Sequence, residues 1–319
     1  MEDLQKLFSS KNITESSKNL YIKNLTRLNG GEIKNLKFLQ DEKSILTKLE
    51  KYAKNTQRTY IISIVSLLKA LSNQKKYKKL YDTYYCILEE MNKELKTSNT
   101  KTVKEQENWI SQQEVLERLD ELKKIIPEVE NKRSITEDQY KQIQNLLLLA
   151  LYALQKPRRN RDYQYMVIYK KSPPIENLTR NVLDIKGNQV QVDIPNILDL
   201  KNNRFIFTNF KTQKTYSNQE IAIVPELRQI IDLYLKFHPL YKSSKVPVTF
   251  IVSFTGQEYK NNNDMTRLLY KIFNKKIGVN MLRHIYLTDK CKDAVEDMNE
   301  DAKQMGTSST TIQDHYIKV

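Results

Sequence analysis

Apolar positions in the first 98 residues recur at helical spacing. Tyr21, Leu25 and Leu28 fall at i, i+4 and i+7, one face of a helix; Thr14 to Ser17 supply its cap and Gly30-Gly31 ends it. Ile45, Leu46 and Leu49 predict a second helix. Asn55-Thr56 is placed to cap a third, with Tyr60, Ile64, Leu67 and Leu68 as its stripe, and Tyr81, Tyr84, Tyr85 and Leu88 begin a fourth. The pattern predicts an all-helical domain over residues 1–98. Residues 99–108 are polar and read as a linker. Trp109-Ile110 restarts burial, and Ser111 with Glu114 forms a capping box ahead of Val115, Leu119, Leu122, Ile125 and Ile126. Thr136 caps a further helix carrying Tyr140, Ile143 and the run Leu146 to Leu151, apolar on every side and so expected deep in a second domain, 109–319.

Between about 165 and 225 the period changes to that of strands. Gly187-Asn188 separates Val182–Ile185 from Val190–Ile194, a hairpin signal. Arg204–Phe207 and Ile221–Val224 flank a polar turn, Lys211 to Asn218, and helix resumes after Pro225. The expected fold is mainly α with a small antiparallel β-sheet: a helical N-terminal domain, then an α+β domain.

Charge narrows the partners. Lys and Arg number 53 against 38 acidic residues, a net charge of +15 that favours a polyanion, nucleic acid being the common one. The plain alternative for the lysines, Lys75, Lys76, Lys78 and Lys79 around Tyr77 among them, is a solvated surface. Cys86 and Cys291 form neither a disulfide framework nor a zinc motif, which points to a reducing, intracellular compartment. Met1-Glu2-Asp3-Leu4 lacks the basic and apolar regions of a signal peptide, and the run Leu146 to Leu151 is far short of a membrane span, so no membrane partner is expected.

The last forty residues carry the most specific pattern. Leu282-Arg283-His284 opens an apolar run, Met305-Gly306-Thr307 forms a turn, and Tyr316 follows Thr307 by nine residues. Upstream, Lys156-Pro157-Arg158-Arg159 follows the buried helix, with Asp162 three residues beyond Arg159. Phe210-Lys211-Thr212 precedes Ile221-Ala222-Ile223-Val224-Pro225. Together these resemble the tyrosine recombinases, the phage-type integrases. Their signature is an Arg before an acidic residue, a Lys in a β-turn ahead of a strand ending in Pro, a Leu-Arg-His helix, a Leu-Gly-His turn and a nucleophilic Tyr. The specific part covers three patches of the chain; the size and position of the helical first domain match the family's core-binding domain. The lysine-rich composition and the Lys-Thr hairpin resemble family members from large DNA viruses and mobile elements.

The resemblance implies a DNA breaking-rejoining fold and a catalytic set of Arg159, Lys211, Arg283 and Tyr316, with Arg158 as the alternate to Arg159 and Lys211 preferred to Lys214. It implies a homo-tetramer on two double-stranded DNA sites, duplex clamped between the two domains, and access to DNA in a host cytoplasm, nucleus or virion. The residue types suit the chemistry. Two guanidiniums grip the non-bridging oxygens of a phosphorane and stay charged at any working pH. Preorganised cations lower the barrier where charge develops. A lysine protonates the departing 5′ oxygen, and covalent capture on a phenol conserves the bond for rejoining, so neither cofactor nor metal is expected.

Two positions depart from the family. Asn280 stands where His or Lys is usual, and Thr307 replaces the turn's His; neither exchanges a proton at neutral pH. His284 matches a position that is usually structural. Three residues follow Tyr316, which leads to the expectation that its own subunit seats it, on a short helix begun by Ser308 to Thr311. Each assignment has a structural alternative: Arg159 as a helix-end charge, Arg283 as a buried ion-pair partner, Lys211 as a solvated turn residue. Two other functions share the pattern, a type IB topoisomerase and a recombinase-derived DNA-binding protein with impaired catalysis.

Overall fold

The computed structural model describes residues 2–9, 13–96, 101–171, 180–183, 189–192, 195–243, 247–261 and 263–317. The chain divides into two units, Met1–Lys101 and Thr102–Val319.

The first unit is helical: α1 (Glu2–Ser9), α2 (Glu15–Asn29), α3 (Glu42–Glu50), α4 (Lys54–Leu71) and α5 (Lys75–Lys96). Thr14 caps α2 through its side chain, and Gly30 ends it at φ 81°, a left-handed conformation that glycine adopts without a Cβ penalty. The cap of α4 differs from expectation: Ala53 holds that position with no side-chain bond, and the helix begins at Lys54, ahead of Asn55-Thr56. Leu25, Leu28, Ile45, Leu49, Ile64, Leu67, Leu68 and Tyr84 share one core. Burying each such side chain contributes about 1.5–3 kcal/mol. Its polar members are paired: Asn24 Nδ2 donates to Ser63 Oγ at 3.0 Å, and the Tyr84 hydroxyl to Leu39 O at 2.9 Å.

The second unit opens with α6 (Val103–Asn108), where the polar pattern reads as linker. A capping box of Thr102 and Glu105 nucleates this helix without any apolar stripe. It continues with α7 (Gln112–Lys123), α8 (Ile126–Val129), α9 (Glu137–Ala153) and α10 (Asn160–Gln164). The expected capping box at Ser111 is present; Thr136 caps α9 as expected and also forms a box with Gln139, and Leu146 to Leu151 are all buried in α9. The Tyr140 hydroxyl on α9 lies 2.9 Å from Tyr234 Oη and 3.0 Å from Val252 O, sharing its one proton between them, and Gln144 Nε2 donates to Val252 O, so these buried polar groups are paired inside the core.

The strands are β1 (Val167–Tyr169), β2 (Arg180–Leu183), β3 (Gln189–Val192), β4 (Ile197–Asp199), β5 (Arg204–Phe207), then α11 (Gln213–Tyr216), β6 (Gln219–Ala222), α12 (Pro225–Phe237) and β7 (Val248–Thr249). The chain closes with α13 (Asp264–Phe273), α14 (Val279–Gln304) and α15 (Ser309–Thr311). A five-stranded sheet has the order β6-β5-β4-β1-β7, and β2-β3 form a separate pair. The expectation of a purely antiparallel sheet is corrected here: β1 pairs with β4 in parallel, Val167 opposite Ile197. A parallel pair needs a crossover of a dozen or more residues, and the stretch containing β2 and β3 supplies it. The β2-β3 pairing is the predicted hairpin, with Leu183 opposite Gln189; its turn residues, Gly187-Asn188 included, lie outside the described residues. β5 and β6 flank the Lys211 turn as expected, but β6 ends two residues early because Pro225 starts α12 at its first turn, with Val224 as N-cap.

Candidate active site

Lys156-Pro157 follows the end of α9. Proline cannot donate into a continuing helix, and the chain turns before α10 begins. Arg159 is the N-cap of α10, extended at φ −77° and ψ 154°, with no side-chain capping bond. Its neighbour Arg158 is tied into the protein. Arg158 Nε donates to Asp162 Oδ2 at 2.9 Å, and another guanidinium nitrogen to Gln219 Oε1 at 2.7 Å. The guanidinium carbon lies 3.7 Å from the Phe207 ring centre and 4.9 Å from that of Phe210. A planar, delocalised cation stacks well on such rings. Arg158 thus joins α10 to β5, β6 and the turn after β5. Arg158 is committed to these internal contacts, whereas Arg159 makes no side-chain capping bond and is the arginine of this pair better placed to take a ligand.

Arg283 lies in the first turns of α14, and one threonine of α13 touches the starts of both this helix and α10. Asn160, next to Arg159, donates to Thr266 Oγ1 on α13 at 2.9 Å. Gly278, the N-cap of α14, abuts the same residue: a Cβ there would lie 3.3 Å from Thr266 Cγ2. Both arginine-bearing helix starts are therefore packed on Thr266. Burial holds Arg283 below the ordinary arginine range; the charge of Arg159 depresses it further, Asp162 opposes this, and Arg158 adds a smaller depression. The Asp162 carboxyl is buried, which raises it, while Arg158 and Arg159 pull it down. Three cations and one carboxylate form a local cluster with a net positive charge, suited to an anion that arrives with two or more oxygens.

Lys211 follows Phe210, whose ring rests on Arg158, and is exposed in the turn between β5 and β6. The packing of Phe210 brings this turn to the arginine cluster. Asn280, three residues before Arg283 and so on the same side of α14, is exposed. His284 is exposed too and lies in the neighbourhood of Glu105 on α6.

The tail lies elsewhere. Met305-Gly306-Thr307 caps α14: Gly306 N–H donates to Lys303 O and Thr307 N–H to Ala302 O, with Gly306 at φ 63°. Ser308 caps α15 as its hydroxyl suits, accepting from Thr311 N–H at 3.1 Å. Ser309 Oγ donates to Asn299 on α14, which lies about 24 Å along the helix from Arg283 at 1.5 Å per residue. Ile312 to Tyr316 form one π-helical turn, and Tyr316 is 60% exposed. Ile312 and Ala302 are buried but belong to no part of the unit's main core. The structure brings together Arg158, Arg159, Asp162, Arg283 and the Lys211 turn; it does not bring Thr307 or Tyr316 to them.

Phe207, Gln219 and Thr266, which organise the arginines, are residues that sequence reading did not single out. They carry no motif and act only through contacts distant in sequence. No protein-family model matches the chain, and no curated protein matches it. No helix among the described residues is long and apolar enough to cross a membrane.

Proposed function

We propose that this chain is a tyrosine-type site-specific DNA recombinase or integrase, with the helical first unit as core-binding domain and the second as catalytic domain. The observation that carries the reading is the convergence of Arg159 and Arg283 beside Asp162, with the Lys211 turn packed on the adjacent Arg158. These residues lie far apart in sequence, and a phosphodiester is the ligand that their combined chemistry fits.

On this reading Arg159 and Arg283 hold the non-bridging oxygens of the scissile phosphate. The Tyr316 phenol loses its proton to solvent water, its oxygen bonds to phosphorus as the P–O5′ bond breaks, and Lys211 gives a proton to O5′, leaving a 3′-phosphotyrosine and a free 5′-hydroxyl. Strand exchange follows in a tetramer on two duplexes. Because Tyr316 is held at the far part of α14, assembly on DNA has to bring the tail to the arginines. That same separation favours a second reading, a recombinase-derived protein that binds DNA without cutting it. Nicked suicide duplexes carrying the ends of the encoding element separate the two. Cleavage leaves a protein–DNA adduct that survives denaturation, and recombination transfers the strand to a second duplex. Binding without an adduct selects the second reading.

A further inference from the structure

Asn196, just before β4, is a buried side chain at 3% exposure, and the catalytic reading leaves it unused. Its amide makes four hydrogen bonds. Nδ2 donates to Asp162 O at 2.8 Å and to Asn209 O at 3.1 Å; Oδ1 accepts from Thr208 N–H at 2.9 Å and Asn209 N–H at 2.8 Å. A primary amide has two donors and one oxygen with two lone pairs, so its capacity is filled. These partners belong to two segments. Asp162 is on α10, the helix that Arg159 caps. Thr208 and Asn209 begin the turn that carries Lys211, and a chain covers at most about 7 Å over the two residues from 209 to 211.

We infer that Asn196 is a positioning residue for the proposed reaction: it fixes the Lys211 turn to the Arg159 helix, so that the general acid and the phosphate-binding arginine keep one registry. The inference rests on the recombinase reading. No other side chain type meets all four partners. Asp keeps both acceptor bonds and loses both donors, which releases the tie to α10 while the turn's own N–H groups stay satisfied. Leu fills part of the volume and leaves the N–H groups of Thr208 and Asn209 and the carbonyls of Asp162 and Asn209 without this partner. A second link between the segments, the Phe210 ring against the Arg158 guanidinium, is a face contact that tolerates sliding; directional hydrogen bonds to a buried amide do not.

The consequence is a defect confined to proton donation. Replacing the bridging O5′ by sulfur removes the need for an acid, because a thiol ionises near pH ~8.5 and leaves as thiolate. Asn196→Asp and Asn196→Ala would be compared with the unsubstituted chain on a nicked suicide duplex bearing the encoding element's ends, and on the same duplex with a 5′-bridging phosphorothiolate. Two variants are used so that either, if folded by thermal melting, gives a reading. The expected result is covalent cleavage slowed about 100-fold on the oxygen substrate, within the range that general acids supply, with DNA affinity unchanged and cleavage of the sulfur substrate within threefold of the unsubstituted chain. Equal losses on both substrates, or no loss on the oxygen substrate, would overturn it. Should the unsubstituted chain form no adduct on either substrate, the recombinase reading itself fails, and this inference with it.

Discussion

Arg159 and Arg283 repel one another: after burial, the Arg159 charge is the largest influence holding Arg283 below its ordinary range. Keeping two guanidiniums together costs free energy, which the phosphodiester anion offsets on binding and the extra negative charge of the phosphorane-like transition state offsets further. Arg158 stands beside them but is neutralised by Asp162 and stacked on Phe207.

The two adjacent arginines should therefore respond differently to substitution. Arg158→Ala leaves the Asp162 carboxylate buried without its partner and should destabilise the chain by about 3 kcal/mol. Arg159→Ala removes no side-chain capping bond and relieves the repulsion of Arg283, so stability should stay within about 0.5 kcal/mol. Cleavage should nonetheless fall at least ~100-fold, as when a charge-stabilising donor is lost. Urea melts beside an adduct assay check this; a reversed pattern would make Arg158 the ligand-binding arginine.

Acid stability should depend on His238. The ring is buried, with Nδ1 accepting from Leu240 N–H at 3.2 Å and Tyr241 N–H at 3.1 Å, and Nε2 donating to Thr249 O at 3.1 Å. Burial lowers its pKa below the usual histidine value, against the upward pull of its bonds to Thr249 and Phe250. As pH falls through about 6.5 the unfolded chain takes up this proton first, so stability is full above that pH and declines below it. Thermal midpoints between pH 7.5 and 5 should show the decline, and His238→Asn should flatten it while lowering stability at neutral pH. An unchanged slope in the variant would assign the effect to other groups.

Much of the fold was legible because its signals are local. The Leu146–Leu151 run, the box at Ser111, the cap at Thr136, and the β5 and β6 segments all act within a few residues. What was not legible depends on partners distant in sequence. The parallel pairing of β1 with β4 involves three-residue strands, too short for periodicity to register. The choice between Arg158 and Arg159 turns on Phe207, Phe210 and Gln219, which no motif marks. The seat of the tail is set by Ser309 on Asn299, a contact between two polar residues that spacing alone does not reveal.

Binding to duplex DNA should be largely electrostatic. With a net charge of +15, affinity for a mixed-sequence duplex should fall at least ~100-fold between 50 and 200 mM salt. Fluorescence anisotropy across that range gives the slope. Salt-independent binding would remove nucleic acid as the partner that the charge implies.

The central claim is that Tyr316 becomes the covalent attachment point. On nicked suicide duplexes, peptide mass mapping of the trapped adduct should place the phosphodiester on the peptide containing Tyr316, joined to a 3′ phosphate. Tyr316→Phe should abolish the adduct and leave DNA affinity unchanged, since it removes one oxygen from a side chain already exposed. An adduct that persists in Tyr316→Phe and maps to another tyrosine would contradict the account.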